Sequence, residues 1–480
     1  MRANHLIDRR KALAGIAASV FWADSAGAQT PAAPKPVESP QPDLMLRPGA
    51  VSRRLAPDPA TETTGLGYNG AAQPFVLRKK AGESVFLRLD NTLNEPTTLH
   101  CYGLHGVNAM DGAGGLTQVP LAPGASFDYR FTPNHSGLHW LHPLVPGFAA
   151  SQRARGLAGL LIVEEKDPPP ADRELLVLLD DWRLNQDGAL AEPYDSPPEA
   201  ARSGRLGNRL TVNGLHDAAE LTLPPRSRVR LRLINLANAR IMPMRFLGAG
   251  KAAVIAIDGQ WVEPFDPLHK QVVMAPGSRF EIMVDLPPES GQAVEVEIAL
   301  GKGLSVVRLT ADGAAVAPRP PVQQIPLNDL PAAIRLQHAT RTTLEITGGF
   351  DAPKPGAAPI PPAEIAKRFP DPRKIWTLNG GKVGGFDGPP LFRVKRGDPC
   401  VLALANKTGW AQVIHIHGHH FRYLHPFDDG WEPYWLDTLV ISPGQTIRIA
   451  FDAEAAGKWA IRSSIMEHFE SGVATWFEVS

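Results

Sequence analysis

Ten residues near the C-terminus constrain this chain more than any others: Gln412, Val413, Ile414, His415, Ile416, His417, Gly418, His419, His420 and Phe421. Side chains two apart on a β-strand share a face. The pattern therefore predicts a strand with His415, His417 and His419 on one side and Ile and Val on the other. Neutral imidazole is a good ligand for copper, zinc, iron or nickel. The plainer use of such a face is a row of hydrogen-bonding histidines in a half-buried strand.

The rest of the chain is written in the same way. Short apolar runs at 85–89, 160–163, 175–179, 229–235 and 254–257 are separated by turn residues, and 47 Pro and 44 Gly supply many turns. At about 150 residues per domain, 480 residues suggest three units. With 43% hydrophobic and 20% charged residues the composition is that of a soluble globular protein. A net charge of zero argues against a dedicated nucleic-acid binder or a binder of anionic membranes. Two cysteines, Cys101 and Cys400, do not make a disulfide scaffold. A bridge between them or two buried thiols both fit, and buried thiols are the simpler state.

The N-terminus reads as an export signal. Asp8, Arg9, Arg10, Lys11, Ala12 and Leu13 resemble a twin-arginine motif, an apolar run follows to Ala23, and Ala26, Gly27 and Ala28 offer a cleavage site before Gln29. The run is too short to span a membrane. Residues 1–28 are thus expected to be a signal peptide. The mature protein is expected in the periplasm, with no integral membrane segment.

Two further stretches carry more specific information. One runs through Thr97, Thr98, Leu99, His100, Cys101, Tyr102, Gly103, Leu104 and His105 to Met110, Asp111 and Gly112, and the other includes Trp140, Leu141, His142 and Pro143. Together with Trp435, Leu436, Asp437, Thr438, with Ser442, Pro443, Gly444, and with Gly457, Lys458, Trp459, they resemble the three-domain multicopper oxidases, laccase-like proteins built from cupredoxin units. The resemblance covers nearly the whole mature chain. It implies an all-β protein of three cupredoxin-like Greek-key β-sandwich domains, with antiparallel sheets. The expected boundaries are 44–165, 172–310 and 371–480, with a linker at 311–370 that contains a strand near 342–346 and wraps over the middle domain.

The resemblance also implies four coppers: a type-1 blue site in the third domain, and a type-2 copper with a type-3 pair between the first and third. Carried over position by position, His100 and His415 match the type-2 ligands. His142 and His417 match type-3 ligands, and His468 matches a type-1 ligand. Other ligand positions are occupied by Tyr102, Leu144, Gln412, Arg462, Ser463, Ser464 and Val473. A blue site requires two histidines and a thiolate, and Ser463 stands where the thiolate belongs. The expectation is a copper-poor family member holding at most about one copper per chain, or none, at His100 and His415 with His142 or His417. It would act as a binding or structural protein with a periplasmic protein partner, or alternatively as a copper-binding oxidoreductase using that residual site. Arg462 is expected to replace one type-3 copper with a fixed cation, taking Tyr102 and His142 as acceptors.

Overall fold

Arg228–Asn235 shows how the sequence builds the fold: Val229, Leu231 and Leu233 alternate with Arg228, Arg230 and Arg232. The apolar face enters the core of the middle domain with Val177, Val254, Ile282 and Val296. The arginine face is buried too, because each guanidinium meets carboxylates: Arg232 bonds Glu174 and Glu281, Arg230 bonds Glu165 and Glu281, and Arg228 bonds Asp285. Buried charge is tolerated when it is paired in this way.

The computed structural model describes residues 41–55, 62–323, 327–331, 333–352, 360–428 and 430–480; the expected signal peptide lies outside them. Three β-sandwiches follow one another. In the first, a sheet of Leu44–Leu46, Val85–Asp90 and Ser126–Phe131 faces a sheet ordered Phe75–Lys80, Gly159–Glu164, Gly137–His142, His100–Cys101. The middle sandwich pairs a six-stranded sheet with a five-stranded one, and so does the third. Each encloses its own apolar core.

The sheets are mixed rather than antiparallel throughout. Phe75–Lys80 runs parallel to Gly159–Glu164, Arg173–Trp182 to Arg228–Asn235, and Thr340–Gly348 to Pro399–Asn406. When successive strands sit in opposite sheets, two neighbours in one sheet are separated by long connections and can run the same way. The strand expected near 342–346 spans Thr340–Gly348 and belongs to the third sandwich, between Trp376–Leu378 and Pro399–Asn406. The stretch 311–370 is therefore not only a linker, and the third domain's sheet begins before residue 371. Among the described residues no helix is long and apolar enough to cross a membrane.

Two strand pairs set up the interdomain site. In the first domain, His100 lies opposite His142 across the antiparallel pair of His100–Cys101 and Gly137–His142. In the third, Gln412–Ile416 pairs with Gly457–Ser463, which puts His415 opposite Arg462 and Ile414 opposite Ser463.

Candidate metal centre

The strand of the opening motif stops at Ile416, and this decides where its histidines go. Gly418 adopts φ +68° in a tight turn against the Trp459 ring, a conformation and closeness that only glycine allows. His415 and His417 face the first domain. His419, expected on the same face, does not join them. The period of two ends with the strand, and His419 packs among Phe451, Trp459 and Phe477.

His100, His142, His415 and His417 converge between the domains, all essentially fully buried. The His100 and His417 rings stack at 3.9 Å, and Tyr102 stacks on His415 at 3.8 Å. Among the described residues, one group of three ligating side chains has its donor atoms within 4.8 Å of one another: His100, His415 and His417.

Backbone carbonyls fix the ring tautomers. His100 Nδ1 donates to the Asp111 carbonyl at 2.7 Å, His415 Nδ1 to the Asp437 carbonyl at 2.9 Å and His142 Nδ1 to the Pro143 carbonyl at 2.7 Å. His417 Nδ1 donates to the Asp111 carboxylate at 2.9 Å. Each ring then presents an Nε2 lone pair to the interior, the usual preparation of a histidine for a metal. Burial pushes His415 down to about 4 against the pull of Asp437. His142 and His417 lie well below the ordinary histidine range, through burial first, with the Arg462 charge adding to it. These three rings are neutral. Burial would raise the Asp111 carboxyl, but the His417 and His100 rings outweigh it and hold it low.

Arg462 occupies the middle of this arrangement with no exposure. Its Nε donates to His417 Nε2 at 2.9 Å, one Nη to His142 Nε2 at 3.3 Å and the other to the Ser463 carbonyl at 2.9 Å. His142 is an acceptor, as the sequence suggests, but Tyr102 is not. The tyrosine turns its ring face to the guanidinium, 5.1 Å from the ring centroid, and its hydroxyl pairs with Ser464 Oγ at 3.0 Å. The second acceptor is His417. Leu144 is buried in the packing beside Tyr102 and Trp140. Two lone pairs remain without partners, His100 Nε2 and His415 Nε2.

The second candidate position is closed. His468 lies between the Gln412 side-chain amide, 3.0 Å from Nδ1, and the Arg202 carbonyl, 2.6 Å from Nε2. Ser463 Oγ accepts from the Ile465 amide at 3.1 Å, and Val473 packs in the third domain's core. No ring nitrogen of His468 is left for a metal. Cys101 and Cys400 are both buried free thiols.

The sequence reasoning missed the groups that hold the ligands in place. Arg279 forms a bidentate pair with Asp437, at 3.1 and 2.6 Å, with both side chains essentially fully buried. Asp437 in turn accepts from His415 through its carbonyl. Asp111 and Asp437 both stand inside the quoted motifs, which was the available signal. Arg279, from the middle domain, carried none.

Sequence profiles described as multicopper oxidase match residues 51–168, 173–292 and 359–480. The multicopper oxidase MmcO of Mycobacterium tuberculosis is 26% identical over 460 residues, covering 88% of this chain and 86% of that protein. The multicopper oxidase mco of Staphylococcus epidermidis is 25% identical, covering 86% of this chain and 84% of its own. The crystal structure of a multicopper oxidase from Pseudomonas thermotolerans superposes with a TM-score of 0.77 at 28% identity, over 92% of this chain and all of that one. Three sandwich domains, a histidine cluster between the first and third, and matches across all three place this chain in the multicopper oxidase family.

Proposed function

We propose that this protein does not run four-copper oxidase chemistry and serves as a copper-poor binding or structural member of its family, exported to the periplasm and acting on a protein partner there. The observation that carries this reading is Arg462. A guanidinium is a permanent cation. Placed 2.9 Å from His417 Nε2 and 3.3 Å from His142 Nε2, it uses the lone pairs that a type-3 copper would need and repels a second cation. Ser463 adds to this, since a neutral hydroxyl is a poor soft-metal ligand. With Gln412 and the Arg202 carbonyl holding His468, the type-1 ligand set does not fit copper.

A second reading rests on His100 and His415. Their buried, unpartnered Nε2 atoms fit one metal ion, with His417 as a third ligand if it releases Arg462. Copper bound there supplies one-electron redox chemistry to an external donor. The chain's own part is to hold both rings in the Nδ1–H tautomer and to exclude water.

Metal analysis with electron paramagnetic resonance on copper-loaded protein tests both readings. At most about one copper per chain, no intense blue copper–thiolate band and no phenol oxidation are expected. Copper lost in His100→Ala/His415→Ala favours the second reading. A full copper complement with a blue band refutes both.

A further inference from the structure

A second group of histidines lies outside the interdomain centre. Gly137–His142 carries His139 three residues before His142, so the two rings leave opposite faces of the strand. His139 lines an open cleft of about 640 Å³ together with His105, His135, Asp329 and Glu454. His105, His135 and His139 come from the first domain and Glu454 from the third.

The proton positions here can be counted. His420 Nε2 faces the Asp258 carbonyl at 3.0 Å, and a carbonyl only accepts, so this nitrogen carries the proton. In a neutral ring His420 Nδ1 is then a lone pair, and its partner His105 Nε2 must donate to it. That leaves His105 Nδ1 as a lone pair, facing a carboxylate oxygen of Glu454 at 3.2 Å. At that distance either a proton on His105 Nδ1 or a bound metal ion can sit between the two atoms. Two ligands bound at about 2.0–2.2 Å, at angles from 90° to tetrahedral, lie about 2.9–3.5 Å apart. The observed separation falls in that range.

Two more donors are unspent. The His135 ring centroid is 4.7 Å from that of His105, and its Nδ1 is buried without a partner. His139 donates from Nδ1 to the Tyr102 carbonyl at 3.1 Å, which leaves Nε2 as a lone pair, also unpartnered. His139 is 2% exposed. His419 contributes indirectly: its Nε2 accepts from the Glu454 amide at 3.2 Å and so fixes that residue's backbone. From these contacts we infer that the cleft is a binding site for a divalent transition metal, with His105, His135 and Glu454 as ligands and His139 Nε2 as the fourth donor. Three imidazoles and a carboxylate suit zinc and its neighbours. The donors are less tightly gathered than the His100 triad, so binding draws His135 toward His105 and Glu454. The ion would tie the first domain to the third at the rim of the interface.

The test uses the full chain, stripped by a chelator and titrated with zinc alone against a chromophoric competitor. In the His100→Ala/His415→Ala protein one ion per chain is expected, and its binding is weakened at least tenfold when Glu454→Gln or His135→Ala is added. Anomalous scattering at the zinc edge from soaked wild-type crystals places the ion independently of any variant. Absence of binding, affinity unchanged in both cleft variants, loss in the His100/His415 variant alone, or anomalous density elsewhere would each overturn the assignment. If the bridging cation is only a proton on His105, the titration shows no site.

Discussion

Replacing Arg462 by alanine is the perturbation that bears most directly on this interface. The side chain is fully buried and donates three hydrogen bonds, to His417, His142 and the Ser463 carbonyl. A buried acceptor left unpaired costs about 1–3 kcal/mol, and three would cost several. Two effects oppose this. The buried cation's desolvation cost is released, and water can enter the space vacated and serve part of the lost bonding. The net expectation is a loss of about 2–4 kcal/mol. For a cooperative unit of domain size this lowers the melting temperature by on the order of 5–15 °C. Calorimetry on chelator-treated protein measures it, with Arg462→Met as the control that keeps the volume and removes the donors. Arg462→Lys keeps the charge but loses the planar fork, so it should fall between. The same change frees His417 Nε2, which joins the unpartnered Nε2 atoms of His100 and His415. Copper affinity should then rise by roughly tenfold or more, and copper should recover part of the lost stability through linkage. Alanine and methionine variants that both melt with the wild type would refute the role given to Arg462.

Asp437→Ala should cost about 3–5 kcal/mol, because it leaves Arg279 buried without its carboxylate, and denaturant midpoints of the metal-free protein measure it. The pH dependence follows from the buried histidines: His415, His419 and His468 each fall to about 4, with burial the main cause. Between about pH 6.5 and 4 the unfolded chain binds these protons and the folded protein does not, so stability is full above about 6.5 and declines toward 4, by up to about 3 kcal/mol per ring. Unfolding midpoints across that window check this, and a flat profile contradicts the burial of these rings as neutral groups.

The all-β class and the three units were legible because alternation and turn residues are local signals. The family motifs put His100, His142, His415 and His417 in one place, and the structure brings all four together. What could not be read locally was the end of a strand. His419 has the spacing of a ligand, yet the turn at Gly418 sends it into an aromatic core. Nor could the reach of Arg462 be read, since its choice of His417 over Tyr102 depends on how two domains face each other. The strand Thr340–Gly348 was visible as a β-rich run, but its parallel pairing with Pro399–Asn406 is a contact across more than fifty residues. Arg279 lies in the middle domain, far in sequence from the histidine motifs it supports.

The side chains at the interface fit one another, and this bears on the reading proposed above. A buried cation needs acceptors and nearby negative charge. Arg462 donates to two imidazole lone pairs, and through His417 it is connected to the Asp111 carboxylate at 2.9 Å. Tyr102 offers its ring face to the same cation, and its hydroxyl is satisfied by Ser464, a residue small enough to leave room for it. Gln412 likewise gives buried His468 a polar partner that the fold would otherwise have to leave unpaired. Tyr102, Gln412, Arg462 and Ser464 are each bonded to one another or to a buried histidine, while Leu144 and Val473 pack in apolar cores. Restoring single ligands should break these pairings without completing a copper site: Ser464→His would collide with the Tyr102 hydroxyl, and Ser463→Cys would still face a His468 whose nitrogens are both engaged. Arg462 with His142, and His417 with Asp111, are hydrogen-bonded pairs that join the third domain to the first.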